Sequence, residues 1–144
     1  MDSTQQVQQQ MQRWQQAVIS QDVGQIMTFY HDNVRAFDAI SQLQFSNRSQ
    51  YQQHWQTCLS MCTLSKFDID QLDIYADGDL AVCSFLNHCG GIDEQTGQEQ
   101  ASWMRGTQVY RQINGQWLIV HEHFSAPFDP TTGAAMFDLI PEAR

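Results

Sequence analysis

The spacing of hydrophobic residues changes near residue 64 from a helical period to a strand period, and this change constrains the fold more than any other feature. Before that point, apolar residues recur every three or four positions, as in Val7, Met11, Trp14 and Val18. After it, apolar and polar residues alternate in segments separated by the turn motifs Asp77-Gly78-Asp79 and Asn114-Gly115. The sequence therefore predicts helices in the first half and strands joined by tight turns in the second half.

Eight elements follow from these patterns. The first helix is predicted over residues 3–20. The second begins at about residue 23 after a cap at Asp22, and the third begins after a cap at Asn47 or Ser49. The apolar face of the third helix consists of Tyr51, Trp55, Cys58 and Leu59. Strands are predicted over residues 34–40, 67–76, 80–89, 101–113 and 116–125. The order α-α-β-α-β-β-β-β predicts one α+β domain over residues 1–144, with helices on one face of an antiparallel-rich sheet and a pocket between the layers.

Charge and composition exclude several classes of partner. The 144 residues carry a formal net charge of −9, so there is no basic surface for nucleic acid or for an anionic membrane. No apolar run approaches the roughly 18 residues of a membrane span. Residues 1–12 lack the basic and apolar regions of a secretory signal. The four cysteines contain no CxxC pair, and we expect a cytoplasmic chain with reduced thiols.

Several motifs, spread over nearly the whole chain, resemble those of one superfamily. They are Gln21-Asp22, residues 29–34 (FYHDNV), Trp55, residues 77–81 (DGDLA), Arg105-Gly106-Thr107 and residues 114–127 (NGQWLIVHEHFSAP). With them the chain resembles the SnoaL-like branch of the nuclear transport factor 2-like, or ketosteroid-isomerase-like, superfamily. The resemblance implies a conical α+β fold, with a curved sheet around three N-terminal helices and a homodimer formed through the sheet. This fold hosts isomerases, cyclases, dehydratases, assembly domains and non-catalytic ligand binders, so the resemblance selects no single activity.

Asp38 is the residue that the resemblance marks as a general base. Ketosteroid isomerases carry their general-base aspartate a few residues after the second helix, and Asp38 falls at that place on an otherwise apolar segment. Burial would raise the pKa of such a carboxyl toward the range useful for proton transfer at carbon. The isomerase's oxyanion partners are missing, because Trp14 stands at the tyrosine position and the strand over 101–113 contains no acid. Steroid isomerisation proper is therefore not expected.

A second group of polar residues lies on the last two predicted strands. Strand alternation predicts that His121 and His123 share one face with Trp117 and Ile119, and that Glu122 lies on the other. A two-residue hairpin loop would place Arg105 beside Glu122, whereas a three-residue loop with a bulge would create a cluster of arginine, histidine and serine. Acid–base catalysis, metal binding through H-x-H and a structural role all fit this group. Spacing fixes no third metal ligand.

Aromatic residues supply the candidate wall of the pocket. Together with Glu122, the residues assigned to ligand binding are Trp14, Tyr30, Tyr51, Trp55 and Trp103. Their rings suit a flat, ring-containing ligand. Cys58 and Cys62, four residues apart, are expected in the core or the pocket wall. His54 is expected at the surface, with the mouth of the pocket as the alternative.

The leading functional hypothesis is binding of a small hydrophobic ring compound in the cone, with proton-transfer chemistry of the isomerase, cyclase or dehydratase kind. In this hypothesis Asp38 is the base, His123 or His121 donates a proton, and Arg105 or Trp14 polarises an oxygen. The chemistry needs no metal and no organic cofactor. The alternative hypothesis is a non-catalytic, dimeric assembly or partner-binding domain.

Overall fold

A computed structural model describes all 144 residues. It contains three helices and five strands, joined by turns and loops. The helices are α1 (Ser3–Ser20), α2 (Val23–Met27) and α3 (Arg48–Met61). The strands are β1 (Tyr30–Phe37), β2 (Thr63–Asp77), β3 (Leu80–Ile92), β4 (Glu99–Ile113) and β5 (Gln116–Ser125). This is the predicted element order, and none of the helices is long and apolar enough to cross a membrane.

Each helix begins at an acidic or amide side chain that accepts a hydrogen bond from the backbone of the first turn. Asp2 accepts from the N–H of Gln5 at 2.8 Å, and Asp22 accepts from Gln25 at 3.2 Å. Asn47 caps α3, as one of the two predicted alternatives. Such caps satisfy backbone donors that the helix itself leaves unpaired.

The five strands form one mixed sheet in the order β1-β5-β4-β3-β2. Strands β2 to β5 pair as an antiparallel meander, as predicted, and β1 lies parallel to β5 at the edge. The bounds of β1 differ from the predicted 34–40, because pairing with β5 determines where the strand begins and ends. The β1–β5 ladder runs from Tyr30 to Phe37, so Asp38 follows the strand rather than lying within it.

A bulge in β5 reverses the predicted orientation of its side chains. The Asn114-Gly115 turn has positive φ at both residues and pairs Ile113 with Gln116, as expected of a two-residue loop. The register then shifts, because Tyr110 pairs with Ile119 whereas Val109 pairs with His121. The extra residue is Val120, and beyond it every side chain changes face.

The predicted placement of the two histidines with Trp117 and Ile119 is therefore wrong. Glu122 and Phe124 point inward with Trp117 and Ile119, whereas His121 and His123 point outward. The two loop hypotheses are each half right, because a two-residue turn is followed by a bulge that places Thr107 opposite His123. Arg105 consequently lies opposite Ser125 and not beside Glu122.

The core lies between α1 and the inner face of the sheet. Val7, Met11, Trp14 and Val18 are all buried, as their spacing predicts. The Trp14 ring lies at the centre, 5.4 Å from the Phe67 ring and 6.4 Å from that of Phe124. Such aromatic pairs add stability beyond the area they bury.

Candidate functional site

A cavity of about 360 Å³ opens between α3 and the inner face of the sheet. Fourteen of its seventeen lining residues are hydrophobic, so it is an apolar site with few groups able to orient a ligand. The polar lining residues are Asp38, His54 and Asn87. Asn87 gives one amide N–H to the Asp68 carbonyl, and of the three residues Asp38 and His54 are the two with acid–base side chains.

Asp38 and His54 contact each other directly in the cavity wall. An oxygen of the Asp38 carboxylate makes a short hydrogen bond with Nε2 of His54. Their side chains are 18% and 8% exposed, so both are largely withdrawn from water. Burial by itself would lower the pKa of His54, but the hydrogen bonds with Asp38 and Cys58 and the charge of Asp38 outweigh burial and raise it to about 9. His54 is therefore an imidazolium at neutral pH.

Three cysteine thiols lie around the same cavity. The Sγ of Cys58 is 3.6 Å from Nε2 of His54 and 3.9 Å from its Nδ1. The donor atoms of Asp38, His54 and Cys58 all lie within 4.8 Å of one another. Cys62 and Cys89 also line the cavity, and burial is the main reason that the pKa of Cys89 is raised to about 11.

A second carboxyl, Glu122, is fully buried beneath the cavity. Tyr30 donates its hydroxyl to Glu122 at 2.9 Å, Gln108 donates its amide N–H at 2.6 Å, and Tyr51 donates a short hydrogen bond. The network extends outward, since the Trp14 indole N–H donates to the Tyr30 oxygen at 2.9 Å. Glu122 on β5 thereby connects Tyr51 of α3, Gln108 of β4 and Tyr30, the first residue of β1. Tyr30 in turn connects this network to Trp14 of α1.

Burial controls the protonation of this network. It raises the pKa of Glu122 to about 7, although the hydrogen bonds from Tyr51, Gln108 and Tyr30 oppose the shift. Burial, followed by the charge of Glu122, also raises the pKa values of Tyr30 and Tyr51 well above their usual range. The tyrosines therefore stay protonated and act as donors.

The structure brings some of the predicted site residues to the cavity. Asp38, Tyr51 and Trp55 line it. Trp14, Tyr30 and Glu122 lie in the core beneath it. The Trp55 indole N–H is shielded from solvent and has no hydrogen-bond partner, which makes it the one unpaired buried side-chain donor in the chain.

The other predicted site residues lie on the outer face of the sheet, away from the cavity. His121 Nδ1 is 2.7 Å from the Arg35 carbonyl, and the exposed Arg105 is 3.2 Å from the Ser125 hydroxyl. His123 packs its ring against Phe37. Trp103 stacks on His88 with ring centroids 4.3 Å apart. Asp38 is thus not joined by His121, His123 or Arg105 as the catalytic hypothesis required.

Sequence reasoning gave His54 no role in the site and favoured the surface over the mouth of the pocket, where the structure places it. A signal was present, because His54 is three residues after Tyr51 and four residues before Cys58 and so shares their helical face. A polar residue on an apolar helical face is the feature that marks it.

Comparisons with known proteins agree with this architecture. A family model described as a SnoaL-like domain matches residues 7–129. None of the curated proteins matches the chain. Among solved structures, the chain is similar to an NTF2-like protein of unknown function from Pseudomonas putida KT2440, with 45% identity, 96% of each chain covered and a TM-score of 0.88.

More distant structures share the fold alone. One is a nuclear transport factor 2-like superfamily protein from Salmonella enterica serovar Typhimurium LT2, at 22% identity, covering 92% of this chain and 96% of that one, with a TM-score of 0.75. Another is a ketosteroid isomerase-like protein from Erwinia carotovora atroseptica SCRI1043, at 10% identity, covering 86% and 95%, with a TM-score of 0.73. They support the conical α+β fold expected from the sequence.

Proposed function

The chain belongs to the SnoaL-like domain family, and we propose that it binds a small hydrophobic, ring-containing molecule in the cavity and transfers a proton on it with Asp38. The observation that carries this proposal is an apolar cavity with one hydrogen-bonded acid–base pair in its wall. A volume of about 360 Å³ lies within the range of small-molecule sites. Its aromatic lining, which includes Tyr51, Trp55 and Phe124, favours a flat ring.

The Asp38 carboxylate is the group suited to accept the proton. It can take a proton from a carbon next to a carbonyl, while the electron pair moves to the carbonyl oxygen, and it can then return the proton to another carbon. His54 holds the carboxylate at the cavity wall, a role that the sequence-based hypothesis had given to no residue.

Ligand binding is tested by thermal shift. With chelator present, a ring compound (steroid, aromatic polyketide or hydroxyaromatic) at about 100 times its Kd is expected to raise the Tm by about 5–10 °C. Asp38→Asn should change that rise, because it removes the charge at the polar end of the cavity. Asp68→Asn, an exposed position on β2, serves as the control and should not. If no ring compound shifts the Tm of the folded protein, the ligand-binding proposal is wrong.

We also propose that two chains pair through the outer face of the sheet, which carries Phe37, Trp103 and His121. Light scattering should then give twice the chain mass of 16.6 kDa. Trp103→Glu should return the mass to that of one chain, because it places a charge in an apolar contact. Leu43→Glu, in an exposed loop, should leave the dimer intact. A single-chain mass for the unsubstituted protein would contradict pairing.

A further inference from the structure

We infer that Asp38, His54 and Cys58 form a zinc site in the cavity wall, with a fourth coordination position open to the cavity. The three residues supply a carboxylate oxygen, an imidazole nitrogen and a cysteine sulfur, which are the donor types that zinc takes in proteins. Zinc binds the neutral imidazole, so the proton of the His54 imidazolium is released when the ion binds. Their donor atoms lie within 4.8 Å of one another. This inference goes beyond the proposed function and does not rest on it, because metal binding is measurable without an organic ligand.

The distances between the donors fit a zinc ion. Zinc lies about 2.0–2.1 Å from nitrogen and about 2.3 Å from sulfur, so a tetrahedral angle separates the two donors by about 3.5 Å. The Sγ of Cys58 and Nε2 of His54 are 3.6 Å apart. Asp38 must move back from its direct contact with His54 to admit the ion. Its position just past the end of β1, outside the strand ladder, leaves it free to do so.

Local structure places the two remaining donors together. His54 and Cys58 are four residues apart on α3, so both project from one face of the helix. The Asp38 carboxylate and the Cys58 thiolate together balance the two positive charges of zinc, which suits a site surrounded by apolar residues. Three protein ligands with the fourth position open is the arrangement of catalytic zinc sites rather than structural ones.

The ion would change what the cavity can do. With zinc bound, Asp38 is a metal ligand and is no longer free to accept a proton from carbon. The open position would instead take and polarise an oxygen atom of the cavity ligand. Metal content would therefore decide which of the two chemistries this wall supports.

Titration of the chelator-treated, reduced protein with Co²⁺ alone tests the site. We expect one equivalent per chain, thiolate-to-cobalt charge-transfer absorption in the near ultraviolet, and displacement by Zn²⁺. Cys58→Ser should abolish that absorption, and Cys58→Ser and His54→Gln should each weaken zinc binding by at least about 100-fold, since even the loss of a supporting partner costs 10–100-fold. Cys62→Ser, just past the end of α3 and exposed, is the matched control and should keep both properties.

Alkylation gives a second readout that needs no variant. Stoichiometric Zn²⁺ should protect Cys58 from iodoacetamide, as located by peptide mass spectrometry, while the exposed Cys62 continues to react. The inference is overturned if no equivalent of metal binds, if Zn²⁺ does not protect Cys58, or if Cys62→Ser rather than Cys58→Ser removes the thiolate absorption. Ring compounds that still shift the Tm in chelator would then leave the proposed function standing.

Discussion

Replacing Glu122 with leucine is expected to lower the free energy of unfolding by about 3–5 kcal/mol, because three buried donors lose their acceptor. Tyr30, Tyr51 and Gln108 all donate to this carboxyl, and none of them can reach water. An unpaired buried donor costs about 1–3 kcal/mol, whereas the leucine side chain recovers only part of the packing. Urea denaturation followed by tryptophan fluorescence measures the loss.

Three further variants show whether the loss of stability comes from the hydrogen bonds to Glu122 or from the removal of a glutamate as such. Glu122→Gln keeps one oxygen acceptor and the volume, so it should cost less than Glu122→Leu. Glu94→Leu makes the same chemical change at an exposed turn and should stay within about 0.5 kcal/mol of the unsubstituted protein. Adding Tyr51→Phe to Glu122→Leu should restore part of the stability, since one orphaned hydroxyl is then gone, while Tyr30 is kept because its oxygen accepts the Trp14 indole N–H. Equal stability of Glu122→Leu and the unsubstituted protein would contradict this account.

Glu122 is also expected to make the protein less stable as the pH rises from about 4.5 to about 7. The pKa of this carboxyl is about 7 in the folded chain against an ordinary value of 4.5. Between these values the folded state keeps a proton that the unfolded state has lost, so rising pH favours unfolding. The contribution reaches about 3 kcal/mol at pH 7 and levels off about one pH unit above it.

The comparison of the unsubstituted protein with Glu122→Gln isolates this effect, because both chains share every other titrating group. Measured by urea denaturation at a series of pH values, the stability of Glu122→Gln relative to the unsubstituted protein should improve steadily from pH 4.5 to pH 7. A difference that does not vary with pH would mean that Glu122 titrates normally.

The fold could be predicted because its signals are local. The α1 face is buried as its spacing indicates, Asp22 and Asn47 cap the helices, and the Asn114-Gly115 turn closes the last hairpin. Each of these features depends on residues within one or two turns of one another. A short window of sequence therefore indicates each of them without knowledge of the tertiary contacts.

The site was harder to predict because one inserted residue in β5 reverses the face to which every later side chain of the strand points. Nothing in the residue type of Val120 marks a bulge, yet the bulge moves His121 and His123 to the outer face and buries Glu122. The place of Asp38 at the cavity was expected, but its partner was not. His54 belongs to another element, and only the packing of α3 against the end of β1 brings the two side chains together.

The pairing of the first strand with the last has a consequence for how the chain is made. β1 pairs with β5, and Phe37 lies opposite His123. The segment between these two residues is more than half of the chain and must be synthesised before they can pair. Until the last strand has been made, β1 lacks its partner strand and has only a single bridge between Ala36 and Phe45, and the apolar side of α1 has only part of its cover. We expect the rate of folding to be limited by this long-range closure, because the contact between β1 and β5 joins segments far apart in the sequence.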